Sequence, residues 1–276
     1  MQKMYNMRDD EALRDFLGKD VFARLRANRH MCLALADGAL LIAFHFCDIR
    51  NPSRREDKVC IYCSAEDYVF VGDDKQCREI ALQVKDAPDS YTRLIEFFLA
   101  LTASDVYELE KAEDRITDLE DRLITETRSS ADDSTIIVNM RRELLKMKRY
   151  YEQLAMITED LTENTNNAFS KELLKRVASL DKRMDYLLNS VLHLREYITQ
   201  VREAYQAQVD IEQNQIMKVF TVITSIFLPL TLIVGWYGMN LQMPEFKWSY
   251  GYPFAIALSV MVVIVSIMIF KRKKWF

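Results

Sequence analysis

The sequence is poor in the residues that interrupt regular structure. Its 276 residues hold 6 glycines and 5 prolines, and from Asp89 to Leu228 there is neither. That absence excludes a loop-rich or all-β segment there and predicts helices. Charge is missing from a second stretch: no side chain from Val219 to Tyr237 is ionised, and the run is long enough to cross a hydrocarbon core as a helix. The net charge is only -4, which argues against nucleic acid as a partner. The opening MQKMYNMRDDEALRDF lacks the apolar core of a cleavable signal peptide, so the soluble part is expected to stay in the cytosol. There is no glycine-rich loop to cradle a phosphate and no nucleophile, acid–base or metal constellation. An enzyme is therefore not expected, and neither is a cofactor.

The five cysteines (Cys32, Cys47, Cys60, Cys63, Cys77) all lie in the first third and are expected to remain thiols in a reducing compartment. Cys60-Ile61-Tyr62-Cys63 has the spacing of a zinc knuckle or redox motif, but it sits in KVCIYCSA, which reads as a strand. There the two thiols point to opposite faces and act as small buried apolar residues. His30 and His45 belong to no ligand pattern.

The fold class is α+β. Residues 1–88 form a small cytosolic α/β domain: an irregular start and a short amphipathic helix up to about residue 28, then a mostly antiparallel sheet over 29–72. Its strands are MCLALA, ALLIAFHF, KVCIYCSA and YVFVGDD, the first two joined by an Asp37-Gly38 turn. Residues 89–168 form a helical pair. One helix runs from Thr92 to about Glu126 with Val106, Leu109, Ile116, Leu119 and Leu123 inside; the other runs from Ser134 to about Leu161. Residues 169–218 are the cytosolic part of a long stalk helix, 219–240 the first membrane span, 241–251 an external loop, 252–270 the second span and 271–276 a basic cytosolic tail.

The helix from Phe169 to Leu228 spans roughly 90 Å, of which only about a third fits in a bilayer. Its stalk carries an unbroken heptad seam: Leu173, Val177, Leu180, Met184, Leu187, Val191, Leu194, Ile198, Val201, Tyr205. Such a seam asks for partner helices. A second line of residues, at alternating steps of three and four, is one that lipid does not reward: Asn214, Met217, Thr221, Thr224, Leu228, Thr231, Gly235. Followed backwards it passes Asp210, Ala207, Glu203, Gln200 and Glu196. The threonines serve either as helix-packing groups or as the lining of a water-filled path, and the carboxylates either as plain solvated stalk residues or as its cytosolic entrance, with Glu203 and Asp210 nearest the membrane.

The second apolar segment, Tyr252 to Phe270, holds only Ser259 and Ser266 as polar members and can face lipid all round. Lys271, Arg272, Lys273 and Lys274 follow it as a basic ring, placing both termini on the cytosolic side of a multi-pass cell-membrane protein.

Tyr237-Gly238-Met239-Asn240, closing the first of two C-terminal spans, resembles the signature of the CorA family of magnesium and cobalt transporters. Asn214, Met217-Lys218, Pro229-Leu230-Thr231, Gly235, Met243-Pro244-Glu245, Trp248, Gly251-Tyr252-Pro253 and the basic-aromatic tail occur in the family's order. The resemblance implies a funnel-shaped homopentamer whose first span lines the pore. It also implies a selectivity ring of Gly238, Met239 and Asn240, an inner polar ring at Asn214, a constriction at Met217 and Phe220, a hydroxyl ring at Thr231, and Glu245 in the outer loop. Phe220 and Leu228 depart from the Leu and bulkier Met frequent in the family. The N-terminal domain is shorter than usual, so the family's acidic sensing sites do not carry over by residue.

The function implied is passive uptake of Mg2+, with Co2+ and Ni2+ as further ions, driven by membrane potential and closed by cytosolic Mg2+, which is both substrate and regulatory ligand. Its partners are other copies of the chain, divalent cations and the bilayer. Transport of zinc or another divalent metal is the alternative within the superfamily, although Met239 favours magnesium. A membrane-anchored coiled-coil scaffold is the alternative of another class.

Overall fold

The short apolar runs of the first third pair into a five-stranded sheet. In the computed structural model, which describes residues 2–7, 9–19, 21–23, 31–35, 38–125, 131–239 and 248–273, the strands are β1 (Gln2–Tyr5), β2 (Met31–Ala34), β3 (Leu40–Phe46), β4 (Asp57–Cys63) and β5 (Tyr68–Gly72). Their order is β1-β5-β4-β3-β2. Three pairings are antiparallel as expected. The fourth corrects the sequence reading: residues 2–5, expected to be irregular, add a parallel edge strand with Gln2 opposite Tyr68. Asp37 of the expected turn, His30, Asn240, Glu245 and Lys274 lie outside the described residues.

The central strands are buried on both faces, which is why they read as continuous apolar runs. One face gathers Leu41, Ala43, Cys60, Val69 and Val71 with Leu13 of α1 (Asp10–Leu17) and Phe22. On the other, Phe44 and Phe70 meet Phe98 and Phe97 of a helix at Ser90–Leu101, ring centroids 5.7 and 5.8 Å apart. Cys60 belongs to the first face and Cys63, three residues on, to the second. Both are fully buried, and burial pushes the Cys60 thiol up to about 12. In the sequence, α2 (Lys75–Gln83) links β5 to Ser90–Leu101 (α3); it is capped by Asp74, whose Oδ1 accepts from the Cys77 amide at 3.0 Å. Arg54 Nη2 stands 3.1 Å from its other oxygen, so this buried carboxylate is paired.

Three further helices follow: α4 (Asp105–Thr125), α5 (Ala131–Glu163) and α6 (Lys171–Tyr237). The single helix expected from Thr92 to Glu126 is broken at Thr102–Ser104, where no glycine or proline announces it. Two competing bonds mark the break. The Thr102 hydroxyl donates back to Phe98 O at 3.0 Å, and Arg183 from α6 donates to Thr102 O at 2.7 Å. Asp105 then begins α4 buried, accepting from the Tyr151 hydroxyl of α5 at 2.8 Å. Between α5 and α6 the chain turns on Asn164 and Asn167, both left-handed (φ 47° and 53°), a conformation asparagine tolerates. Asn164 exchanges two bonds with the backbone of Phe169, at 2.9 and 3.1 Å.

The seam residues Val177, Leu180, Met184, Leu187, Val191, Leu194, Ile198 and Val201 are all buried. So are Leu109, Ile116 and Leu119 of α4 and Ile137, Leu144, Met147, Tyr151 and Leu154 of α5. Tyr197 ties α6 to α4 by donating to Glu120 at 2.6 Å, and Thr158 ties α5 to α6 by donating to Asp181 at 2.7 Å. The chain's own preceding helices thus cover the seam up to Val201.

Contacts divide the chain into two units, Met1–Glu203 and Ala204–Phe276. The second holds the remainder of α6 and α7 (Gly251–Arg272). Both helices are long and apolar enough to cross a membrane.

Candidate functional site

The second unit's segment of α6 has unlike sides. Asn214, Met217, Thr221, Thr224, Leu228, Thr231 and Gly235 are all exposed, Leu228 to 75%. The covered side comprises Val222, only 4% exposed, and the half-buried Ser225, Ile226, Pro229, Leu230, Ile233 and Tyr237. At 100° per residue the two rows lie about 160° apart. Phe220 is exposed on the flank of the polar row, and Glu203 and Asp210 are exposed on the same helix. Exposure alone does not single out the row, because Val219, Phe227, Leu232 and Val234 are exposed as well. What singles it out is composition: five of its seven members, Asn214, Thr221, Thr224, Thr231 and Gly235, are polar or small, with Met217 and Leu228 between them.

The threonines of the row are built in one way. Each hydroxyl donates to the carbonyl four residues back: Thr221 to Met217, Thr224 to Phe220 and Thr231 to Phe227, all at 2.8 Å. The hydroxyl proton is thereby held by the helix itself, and what each oxygen offers outward is lone pairs. Between Thr224 and Thr231, Pro229 sits inside the helix without an amide proton, so Ser225 O loses its regular donor.

Past Tyr237 the helix ends at two of the three signature residues. Gly238 donates to Val234 O at 2.8 Å and Met239 to Trp236 O at 3.4 Å. A Cβ on Gly238 would stand 2.9 Å from Val234 O, a backbone atom that cannot swing away, so this terminus requires glycine. Gly235 differs: a Cβ there would meet nothing within 4 Å of its own chain. Among the described residues its bareness serves no contact.

At the other end of the second unit, Lys271 and Arg272 occupy the last turn of α7 and Lys273 its C-cap, where cations meet the negative pole of the helix dipole. All three are exposed. One feature escaped the sequence reading. By composition α7 can face lipid all round, yet Gly251, Ala255, Leu258, Ser259, Val262, Val263, Ser266 and Phe270 are half-covered and share one side. The recurrence of Gly251, Ala255 and Ser259 at steps of four was the available signal, since small residues at that spacing mark helix-packing faces.

No group of three or more His, Cys, Asp or Glu side chains converges to hold a metal among the described residues. The buried thiols are poor ligands: burial pushes Cys47 up to about 12 and Cys77 further still.

A profile of the family described as CorA-like Mg2+ transporter protein matches residues 5–272. The cobalt/magnesium transport protein CorA of Thermotoga maritima is 29% identical over 168 residues, 60% of this chain and 47% of that protein. The magnesium transport protein CorA of Escherichia coli is 38% identical over 107 residues, 38% of this chain and 32% of that one. The matched segments therefore span less than half the length of these relatives. The complete CorA magnesium transporter structure from Methanocaldococcus jannaschii superposes with a TM-score of 0.80 at 19% identity, covering 98% of this chain and 90% of its own. The full-length CmaX protein gives 0.77 at 19% identity, covering 99% and 88%. At those identities the structures speak for the fold, and the family match extends across nearly the whole sequence: this chain belongs to the CorA-like Mg2+ transporter family.

Proposed function

We propose that the chain is one subunit of a passive Mg2+ channel, with the polar row of α6 lining a central path and Gly238, Met239 and Asn240 at its outer mouth. The observation that carries this reading is the bonding of the threonines. A hydrated Mg2+ gives up its waters reluctantly and presents their polarised protons outward. Hydroxyls whose own protons are bonded to the helix meet those waters as acceptors only, and so does the side-chain oxygen of Asn214 or Asn240. Rings of such groups, repeated by symmetry, pass a hydrated divalent ion without an ionised side chain in the path. Co2+ and Ni2+, hydrated in the same way, use the same acceptors.

The membrane potential supplies the driving force, since two charges gain about 4.6 kcal/mol per 100 mV. Five copies surround the path, Met217 and Phe220 narrow it, Glu203 and Asp210 stand at its cytosolic end, and Glu245 concentrates cations outside. Lys271 to Lys274 hold the second span's end in the cytosol. Closure by cytosolic Mg2+ uses carboxylates of neighbouring copies, because no three ligands converge among the described residues of one chain.

Mg2+ flux into proteoliposomes tests the reading. Wild-type protein passes Mg2+ down an imposed potential, and Asn240→Ala reduces the flux at least about tenfold, a loss of some 1.4 kcal/mol of ion binding at the mouth. Unchanged flux in Asn240→Ala removes the pore assignment. Competing Co2+, Ni2+ and Zn2+ in the same assay rank the ions.

A further inference from the structure

Among the open grooves that the first unit leaves beside α6, two are opposite in charge. The groove between α4 and α6, about 630 Å³, holds the carboxylates of Glu110, Glu113 and Glu196 and is lined by no lysine or arginine. The groove between α5 and α6, about 240 Å³, holds Arg141, Arg142 and Arg195 and is lined by no carboxylate. No ion pair with another described residue engages any of the six. Both grooves open at one level of α6, where Glu196 and Gln200 lie about 100° around the helix from Arg195 and Thr199. Each is also lined by exposed apolar or aromatic side chains: Tyr186 in the acidic groove, Val138 and Leu145 in the basic one.

A two-fold contact made through either groove would set like charges face to face, which repel. A head-to-tail contact sets the three carboxylates of one copy against the three guanidinium groups of the next, and heterologous contacts repeated about an axis close into a ring. Exposed apolar side chains beside complementary charges supply both contact area and specificity to such an interface. We propose that the α4–α6 groove of one copy docks on the α5–α6 groove of its neighbour, a second copy of this chain being the occupant. This rests on the homo-oligomeric reading above and adds to it the surface and the polarity of the contact.

Charge exchange in the full-length protein in detergent, with a chelator present, tests it. Replacing the acidic set (Glu110→Arg, Glu113→Arg, Glu196→Arg) or the basic set (Arg141→Glu, Arg142→Glu, Arg195→Glu) raises the concentration at which the oligomer half-dissociates at least about tenfold. Combining both sets restores it to within about threefold of the native chain. Midpoints that ignore either set, or a combined variant as weak as the single sets, overturn the interface. Circular dichroism of each variant confirms that the helices persist. Should a triple substitution unfold, the pair Glu113→Cys with Arg142→Cys gives a second readout. A bismaleimide then yields a ladder up to the whole ring from the double variant and no dimer above the native background from either single one. Dimers from one cysteine alone indicate a two-fold contact and also overturn the proposal. A native chain that is oligomeric and passes Mg2+ but ignores the charge exchange defeats this interface alone, whereas a monomer without flux defeats the proposed function along with it.

Discussion

Between Val177 and Val201 the residues that return every three and four positions along α6 are apolar and buried. Between Asn214 and Gly235 the residues at the same spacing are mostly polar or small, and they are exposed. One helix therefore carries two rows of like geometry and unlike chemistry. The first is satisfied inside the chain, by α4 and α5. The second is covered by no other described element of the chain. Periodicity announces that a helix has a distinguished face; only the chemistry of the row says what the face meets.

Two leucines give that contrast its largest test. Leu187 is fully buried and Leu228 is 75% exposed, both on α6. Leu187→Ala is expected to cost about 3 kcal/mol through lost burial and the cavity left behind. Leu228→Ala is expected to cost the subunit less than about 0.5 kcal/mol. Chemical denaturation of the full chain in micelles, followed by helix content, measures both, and equal costs would break the comparison.

A buried carboxylate probes the first unit in another way. Burial pushes the Asp105 carboxyl up to about 6, against the Tyr151 hydrogen bond and the positive charges of Arg183 and Arg50, with Glu108 adding to the rise. Because the folded group ionises less readily than the unfolded one, its contribution to stability is full below about pH 4 and is lost as the pH rises through about 6. Asp105→Asn keeps an acceptor for Tyr151 and removes this loss. Thermal unfolding is therefore expected to show the variant more stable than wild type above about pH 7, by about 2–3 kcal/mol, and equal to it near pH 4.

The smallest effect comes from the paired glycines of the second unit. Gly238→Ala drives a methyl against Val234 O and is expected to cost about 1 kcal/mol at the end of α6. Gly235→Ala meets nothing among the described residues, so stability of the chain stays level and any change appears in assembly or flux. Differential scanning calorimetry beside the flux assay separates the two outcomes.

Much of this was legible in advance where a pattern conflicts with its surroundings. Three threonines and a glycine in an uncharged run stand out because lipid gives no reason for them, and the seam stands out because ten apolar residues keep one spacing. The strands around Ile42 and Ile61 are legible as apolar runs bounded by polar turns. What was not legible is decided by distant partners. The four residues of β1 are too short to show alternation, and they form a strand only because Tyr68–Gly72 offers them an edge. The break after Leu101 depends on Arg183, eighty-one residues away, binding the Thr102 carbonyl. The half-covered side of α7 is written in residues of small size rather than of polarity, which hydropathy alone does not separate from a lipid-facing side.

The back-bonded threonines have a consequence for how such a protein is made. If the chain is one subunit of the proposed channel, it enters the bilayer before it has neighbours, where a bare hydroxyl donor facing acyl chains would have nothing to bond. Thr221, Thr224 and Thr231 each bring their acceptor with them, four residues earlier on the same helix. On the proposed channel reading, these back-bonds leave no bare hydroxyl donor on that face while the chain is still alone in the bilayer.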